Sequence, residues 1–388
     1  MGGKRLLFGV FFLVSALVAG TVRGDAQIKE AFDSIYYKSV SDSVQRYIQS
    51  HPNRFKPEQN RFKATPMASV SYVTEDGFGF IVGMTGQYRN GLDISAPLSL
   101  FSTVGYVSTK GSFKLAVGGT NYAVNGKSRL EYKASGYYDK RYFWGIGYDN
   151  GVYGGNKSRY SELGANISLM YRFLLSPKFN IAPLAGYNYI NASDLSSKSA
   201  LAGGLPLVFN GIHLGGEVVF DTRDDHNSPQ RGVCLNLRQK VYPVLTSNRG
   251  IFYQTTFVAD LFFKGWKGAV FAVDLFSESN YGDSPWFVWT PIGGDVRMRG
   301  YYKGRYRDRN TLIAQLELRQ SIYRGHGAVL WCGAANIFPS YKEIDLKKTL
   351  PNYGIGYRYD LGGNIFKFDV GFGKNREWGI SAGLNHAF

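Results

Sequence analysis

Apolar runs long enough to cross a membrane as a helix are missing from this 388-residue sequence beyond its first residues. A membrane-spanning helix needs about 20 mostly apolar residues. The one apolar run, 6–19, follows Lys4 and Arg5 and precedes the small residues Gly20 and Gly24. A basic head, a short apolar run and small residues are typical of a secretory signal. We therefore predict a signal peptide over 1–24 and an exported protein that does not span a membrane with helices.

Cysteine is almost absent, because Cys234 and Cys332 are the only two in the chain. An oxidising compartment would permit a disulfide between them. The two cysteines lie in segments that are far apart along the chain, however, so we expect both thiols to be free. No cysteine lies near the predicted signal cleavage site, which argues against a lipid-anchored N-terminus.

Histidine is also scarce, and the five histidines show no metal-ligand spacing. A Gly-x-Ser-x-Gly nucleophile motif is absent as well, and no serine and histidine stand out together on one strand face. One turn contains three acidic residues, Asp221, Asp224 and Asp225, and could suggest a cation site. Its carboxylates are more simply explained as acceptors for turn backbone groups and partners of nearby arginines. We predict that the chain is not an enzyme and holds no cofactor and no metal.

Acidic residues are few, with 29 against 45 basic ones, and the formal net charge is +16. A basic balance can indicate nucleic-acid binding, but an exported chain rarely meets nucleic acid. We expect the partners of the basic groups to be outer-membrane lipids and lipopolysaccharide phosphates, with part of the charge lining a wet lumen. Other envelope proteins are further candidate partners, and the sequence names no small-molecule substrate.

Alternation of period two is abundant from residue 66 onward, with turn signals between the alternating segments. We predict sixteen strands, at 66–74, 78–89, 97–108, 112–122, 127–138, 160–173, 178–191, 211–221, 231–243, 251–263, 267–279, 310–323, 327–337, 352–360, 364–373 and 378–388. Before them, apolar residues recur at helical spacing between Ile28 and Ile48. The segment 25–65 is therefore predicted to be an amphipathic periplasmic helix against the barrel rim or the membrane, with a plug or docking element as the alternative.

The composition of the two strand faces distinguishes a barrel from a soluble sandwich. In 364–373, one face carries three phenylalanines and a valine, and the other carries Lys367 and Asp369 followed by two glycines. A dry sandwich core would accept those charges only at a high cost. A barrel with lipid outside and water or ion pairs inside accepts both faces. We predict an all-β, antiparallel transmembrane β-barrel over 66–388.

The connections between the predicted strands sort by length. Those after even-numbered strands are short, whereas the long ones, 139–159, 192–210, 280–309 and 338–351, all follow odd-numbered strands. Outer-membrane barrels have short periplasmic turns and long extracellular loops. The sorting therefore predicts a bacterial outer-membrane location, with both ends of the barrel chain on the periplasmic side.

Three stretches resemble the BamA/TamA superfamily, also called the bacterial surface antigen family. The first is a turn with Asp221, Arg223 and Asp224, followed by Pro229 and Gly232. The second is the motif Arg299-Gly300-Tyr301 in the longest connection, and the third is the C-terminal strand ending in Phe388, which matches an assembly signal. The resemblance implies a sixteen-stranded outer-membrane barrel that assists the insertion or export of envelope proteins. A transport pore and a structural docking barrel are the alternatives.

The resemblance also implies that the longest connection folds into the lumen, where Arg299 pairs with an acidic residue on the inner wall. Alternation places Asp369 on that wall, and Glu317 is the second candidate. The chain departs from the family at Trp331, near which members often carry an Asp, so more of the anchoring is expected to fall on the two remaining acids. The segment 25–65 is too short for a POTRA domain, so we expect a short form of the family.

Overall fold

The computed structural model describes residues 62–90, 97–124, 126–194, 204–226, 228–243, 250–360, 365–384 and 386. The predicted signal peptide and nearly all of the predicted helical segment lie outside the described residues, and so does Phe388. The first strand begins at Lys63, slightly before the predicted boundary at 66. Among the described residues, no helix is long and apolar enough to span a bilayer.

Sixteen antiparallel strands form one closed barrel in which each strand pairs with its neighbours in sequence and the first pairs with the last. This confirms the predicted fold and strand number. The strands are β1 Lys63–Val73, β2 Gly77–Tyr88, β3 Ser99–Ser108, β4 Phe113–Tyr122, β5 Ser128–Phe143, β6 Ser158–Leu174, β7 Phe179–Ser193, β8 Val208–Asp221, β9 Gly232–Tyr242, β10 Phe252–Lys264, β11 Ala269–Gly282, β12 Asn310–Tyr323, β13 His326–Phe338, β14 Leu350–Asp360, β15 Ile365–Gly373 and β16 Trp378–Leu384.

Helical structure in the described residues is confined to short turns in the connections. One is an α-helical turn, α1, over Tyr148–Val152. The others are 3-10 turns at Gly154–Asn156, Trp286–Val288, Tyr341–Glu343, Leu346–Lys348 and Lys374–Arg376.

Alternation along the strands separates an apolar outer face from a polar inner face. On β15, Phe368 is 41% exposed on the outside, whereas Lys367 and Asp369 are buried on the inside. On β14, Tyr353 is exposed and Arg358 is buried in the same way. A closed barrel pairs every central backbone group within the sheet, so its apolar outer face can meet lipid without leaving hydrogen-bonding groups unpaired.

The contact between β1 and β16 is the weakest part of the sheet within the described residues. Only Tyr72–Ala382 and Val73–Ser381 are paired there, whereas β1 pairs with β2 along its whole length. A side chain supplements this contact, since the Thr74 hydroxyl oxygen accepts a 3.1 Å hydrogen bond from the backbone N–H of Ile380. We call the β1–β16 contact the seam.

The connections emerge at two opposite ends of the barrel because every strand is antiparallel to its neighbours. Those after odd-numbered strands lie at what we call the loop end, and those after even-numbered strands at the turn end. Long connections at 144–157, 283–309 and 339–349 all lie at the loop end, as the sequence predicts. The longest of them, 283–309 between β11 and β12, is called the inner loop.

Candidate functional site

The inner loop folds back on itself and packs inside the barrel. The backbone N–H of Ile292 donates a 2.9 Å hydrogen bond to the carbonyl of Tyr306, and the N–H of Gly304 returns one of 3.0 Å to Ile292. Met298 and Tyr306 are completely buried, together with aliphatic residues of β12, β13 and β14. This part of the loop therefore belongs to the packed core beside the late strands, whereas Trp286 and Trp289 at its start pack against β5, β6 and β7.

Arg299 lies between two carboxylates of the inner wall. Its Nη1 is 2.8 Å from Asp369 Oδ2 on β15, and its Nη2 is 2.5 Å from Glu317 Oε2 on β12. Glu317 also accepts a 2.8 Å hydrogen bond from Arg319, and Asp369 accepts one of 2.5 Å from Arg358. The structure thus brings together both acids that the sequence offers as alternatives, in a buried row of alternating charge.

Trp331 takes part in the same site, and the sequence analysis missed its role. Its ring lies 3.7 Å from Arg299 Cζ, and β13 pairs it directly with Glu317 on β12. Gly354 makes room for the indole, because a Cβ at that position would lie 2.2 Å from the Trp331 ring. Three arginines face two acids in the row, and the negative face of the indole offsets part of the remaining charge. Residues 328–332 are apolar throughout, so alternation in the sequence did not show on which face Trp331 lies.

Replacing Trp331 by leucine is expected to weaken docking of the inner loop by about 2 kcal/mol, the upper range for a desolvated cation–π contact. Trp331→Phe, which keeps an aromatic face under Arg299, should lose less. The free energy of unfolding in urea, compared between the two variants, measures the difference. Equal losses would mean that the ring acts only by filling space.

A second arginine of the inner loop is also anchored, and the sequence analysis did not identify it. Arg297 holds the completely buried Asp274 of β11 by two hydrogen bonds, Nε to Oδ2 at 2.8 Å and Nη2 to Oδ1 at 2.7 Å. Such two-point arginine–carboxylate pairs fix geometry as well as charge. Asp274 lies on the alternating inner face, which is the signal that could have found it.

Gly300 and Tyr301 of the motif fit the inner wall closely. Gly300 has a φ of 108°, and a Cβ on it would lie 2.6 Å from the carbonyl carbon of Gly371 on β15. The Tyr301 hydroxyl donates to the carbonyl of Pro351 at 2.5 Å and accepts from the N–H of Lys374 at 2.8 Å. Only glycine at position 300 permits this backbone contact between loop and wall.

Beyond the motif, the inner loop contacts both sides of the seam. The backbone N–H of Lys303 donates a 2.6 Å hydrogen bond to Glu75, in the turn between β1 and β2. Arg305 forms a 3.3 Å ion pair with Glu377, in the turn between β15 and β16. Burial raises the pKa of both glutamates above the usual value. The loop therefore connects the two turns that flank the seam at the loop end.

The predicted turn motif between β8 and β9 forms a compact turn. Arg223 donates two hydrogen bonds to Asp221, of 3.0 and 2.7 Å. Asp224 accepts bonds of 2.9 and 3.1 Å from the two backbone N–H groups that precede β9, and these hold its pKa below the usual value. Pro229 is buried, and Gly232 has a φ of 113°, where a Cβ would lie 2.5 Å from the carbonyl oxygen of Thr222. These residues stabilise a turn at the end opposite the inner loop.

Metal and disulfide chemistry have no candidates in the part of the chain that the structure describes. No group of three or more His, Cys, Asp or Glu side chains is arranged there to hold a metal ion. Cys234 is buried, Cys332 is exposed on the outer face, and both are free thiols.

No protein-family model and no curated protein sequence matches the chain. Solved structures do match it. BamA from Haemophilus ducreyi lacking POTRA domains 1-3 aligns with a TM-score of 0.58 and 13% identity, over 84% of this chain and 71% of that one. CdiB from Escherichia coli aligns with a TM-score of 0.54 and 14% identity, over 85% and 68%. CdiB from Acinetobacter baumannii gives 0.54 and 11%, over 84% and 60%. The chain therefore has the barrel fold of BamA and CdiB, as its resemblance to the BamA/TamA superfamily predicts.

Proposed function

We propose that this chain is a bacterial outer-membrane barrel that assists the insertion or export of envelope proteins through its seam. The observation that carries the proposal is the seam itself, with two backbone pairs among the described residues and the inner loop contacting both of its sides. The shared fold with BamA and CdiB and the apolar outer face support it. The role is mechanical rather than enzymatic and uses no cofactor.

Among the strand contacts between described residues, the seam is the least costly one to open into free strand edges. A backbone hydrogen bond contributes on the order of 1 kcal/mol net, so two pairs cost far less to separate than the full length of β1 against β2. Free edges of β1 and β16 present unpaired N–H and C=O groups. A client strand can pair with such an edge by strand addition.

Arg299, Asp369 and Glu317 act in this proposal as the anchor that holds the inner loop in the lumen. The anchored loop in turn positions Lys303 and Arg305 at the two sides of the seam. The strength of the anchor therefore sets how readily the seam opens.

The proposed orientation puts the loop end outside the cell and the turn end in the periplasm. Lipopolysaccharide phosphates then surround the loop end and are its expected anionic partners. Envelope proteins in transit reach the seam from the turn end. This orientation agrees with the general pattern of outer-membrane barrels, in which the extracellular loops are long and the periplasmic turns are short.

Locking the seam covalently is expected to abolish client insertion. In a background with Cys234→Ser and Cys332→Ser, the pair Val73→Cys with Ser381→Cys places two thiols directly opposite each other across the seam. After oxidation, insertion of an unfolded client barrel into liposomes should fall to the level of empty liposomes, and reductant should restore it.

The matched control locks a permanent strand pair instead of the seam. Ser69→Cys with Ile81→Cys joins β1 to β2, where the two residues are also directly opposite. Oxidation of this pair should leave insertion unchanged. If the seam-locked barrel inserts clients at the rate of its reduced form, the seam is not the route and the proposed function is wrong.

A further inference from the structure

The lumen is filled unevenly. The Arg299-Gly300-Tyr301 motif and the charged row occupy the half lined by the late strands, whereas a cavity of about 760 Å³ lies against β3, β4 and β5. At the loop end this cavity begins beside Tyr302 and Lys303 of the inner loop. The inner loop therefore borders the cavity at one end without filling it.

The cavity extends along most of the barrel. Its wall follows β3 from Tyr106 near the loop end to Leu100 near the turn end, and β4 from Lys114 to Thr120. Six residue steps of a strand span about 20 Å at roughly 3.3 Å per residue. Small inward residues on these strands leave the space open; they are Ser102, Ala116 and Gly118.

The charges along this wall are mainly positive. Five cationic and three acidic side chains line the cavity. The acids are already engaged, since Asp139 pairs with Arg141, Glu75 accepts from the inner loop, and Asp76 accepts from two hydroxyl groups. All three acids lie at the loop end of the wall, so they offer little compensation to Lys133, six residues from Asp139 along β5 toward the turn end.

Two lysines of the wall, one near the loop end and one in the middle, form no ion pair with a carboxylate among the described residues. They are Lys114 on β4 and Lys133 on β5, and both are exposed to the lumen. Lys133 pairs in register with Gly118, whose missing side chain leaves the ammonium group facing open space. Fixed charge of one sign in a narrow, low-dielectric passage concentrates ions of the opposite sign.

We propose that the cavity beside β3, β4 and β5 is an anion-selective path through the barrel, in which Lys114 and Lys133 select small inorganic anions such as chloride and phosphate. This inference rests on the cavity and its charges and does not depend on the assembly role. Lys114 and Lys133 are not part of the seam, so one role can fail while the other holds.

Reversal potentials of the full chain in planar bilayers test the proposal. Under a potassium chloride gradient the unmodified barrel should favour chloride, and under a potassium phosphate gradient it should favour phosphate. The pair Lys114→Glu with Lys133→Glu should lower the anion-to-cation permeability ratio by about tenfold or more and so reverse the preference. This factor is the lower end of the range by which charged clefts raise the local concentration of counter-ions. The pair Lys114→Gln with Lys133→Gln should bring the ratio close to one.

Lys342→Glu with Lys347→Glu is the matched control, because the pair makes the same change of charge at two exposed positions in the connection after β13 and outside the cavity. It should leave the ratio unchanged. Folding of each variant is checked by the heat-dependent gel shift of a closed barrel. Absence of conductance in the unmodified protein, a cation preference, or an equal shift in the folded control would overturn the proposal.

Discussion

Replacing Arg299 by alanine is expected to reduce the stability of the docked inner loop by about 3–5 kcal/mol, the usual cost of breaking a buried ion pair from one side. The change removes the cation between Glu317 and Asp369 and also the partner of the Trp331 ring. Arg299→Lys should recover only part of the loss, because an ammonium group cannot span both carboxylates as the planar guanidinium does. Urea unfolding gives the loss, and protease cleavage between Lys303 and Arg309 reports release of the loop.

A double-mutant cycle separates this contact from general damage. Asp369→Ala made after Arg299→Ala should cost less than Asp369→Ala made alone, with a coupling energy of about 0.5–3 kcal/mol. The second change is not free, because Asp369 also accepts from Arg358. Strictly additive losses would show that Arg299 and Asp369 do not act as a pair.

Replacing Gly371 by alanine should release the inner loop without altering the loop's own sequence. A Cβ at this position would lie 2.5 Å from the carbonyl oxygen of Arg299. The backbone of the Arg299-Gly300-Tyr301 motif would have to move away from β15 to relieve this clash. We expect a loss of about 3 kcal/mol, the upper range for overpacking, together with protease cleavage between Lys303 and Arg309.

Gly383→Ala provides the matched control for this prediction. It lies on the inner face of the neighbouring strand β16, and its Cβ would meet nothing closer than 3.7 Å, at the flexible Lys367 side chain. It should leave both stability and protease resistance unchanged. If Gly371→Ala is equally harmless, the contact between the Gly300 and Gly371 backbones does not hold the loop.

Alternation carries most of the information about this fold. All sixteen predicted segments overlap their strands, because lipid on one side and polar groups on the other impose a period of two along the whole sheet. The same alternation puts Asp369 and Glu317 on the inner wall. It cannot choose between them, since that choice depends on where the loop backbone runs, and Arg299 reaches both.

The strand ends at the loop end were less predictable. β5 continues to Phe143, whereas the sequence predicts its end at 138, just before the charged residues Asp139, Lys140 and Arg141. In the structure Arg141 pairs with Asp139 and Glu162, so these charges satisfy each other along an extended hairpin of β5 and β6. That the inner loop folds into the lumen was predicted from the family resemblance alone, because the sequence of the loop has no periodicity that would indicate it.

The double contact of Arg299 has a consequence for the time course of folding. Arg299 joins the loop to Glu317 on β12, 18 residues later in the chain, and to Asp369 on β15, 70 residues later. Contacts between distant positions form late, because the intervening chain must first be brought together. With the backbones of Gly300 and Gly371 in direct contact, the loop is most easily placed while the sheet is still open. Nucleation on the late strands, followed by closure of β1 against β16 as the final event, is the order of assembly that this geometry favours.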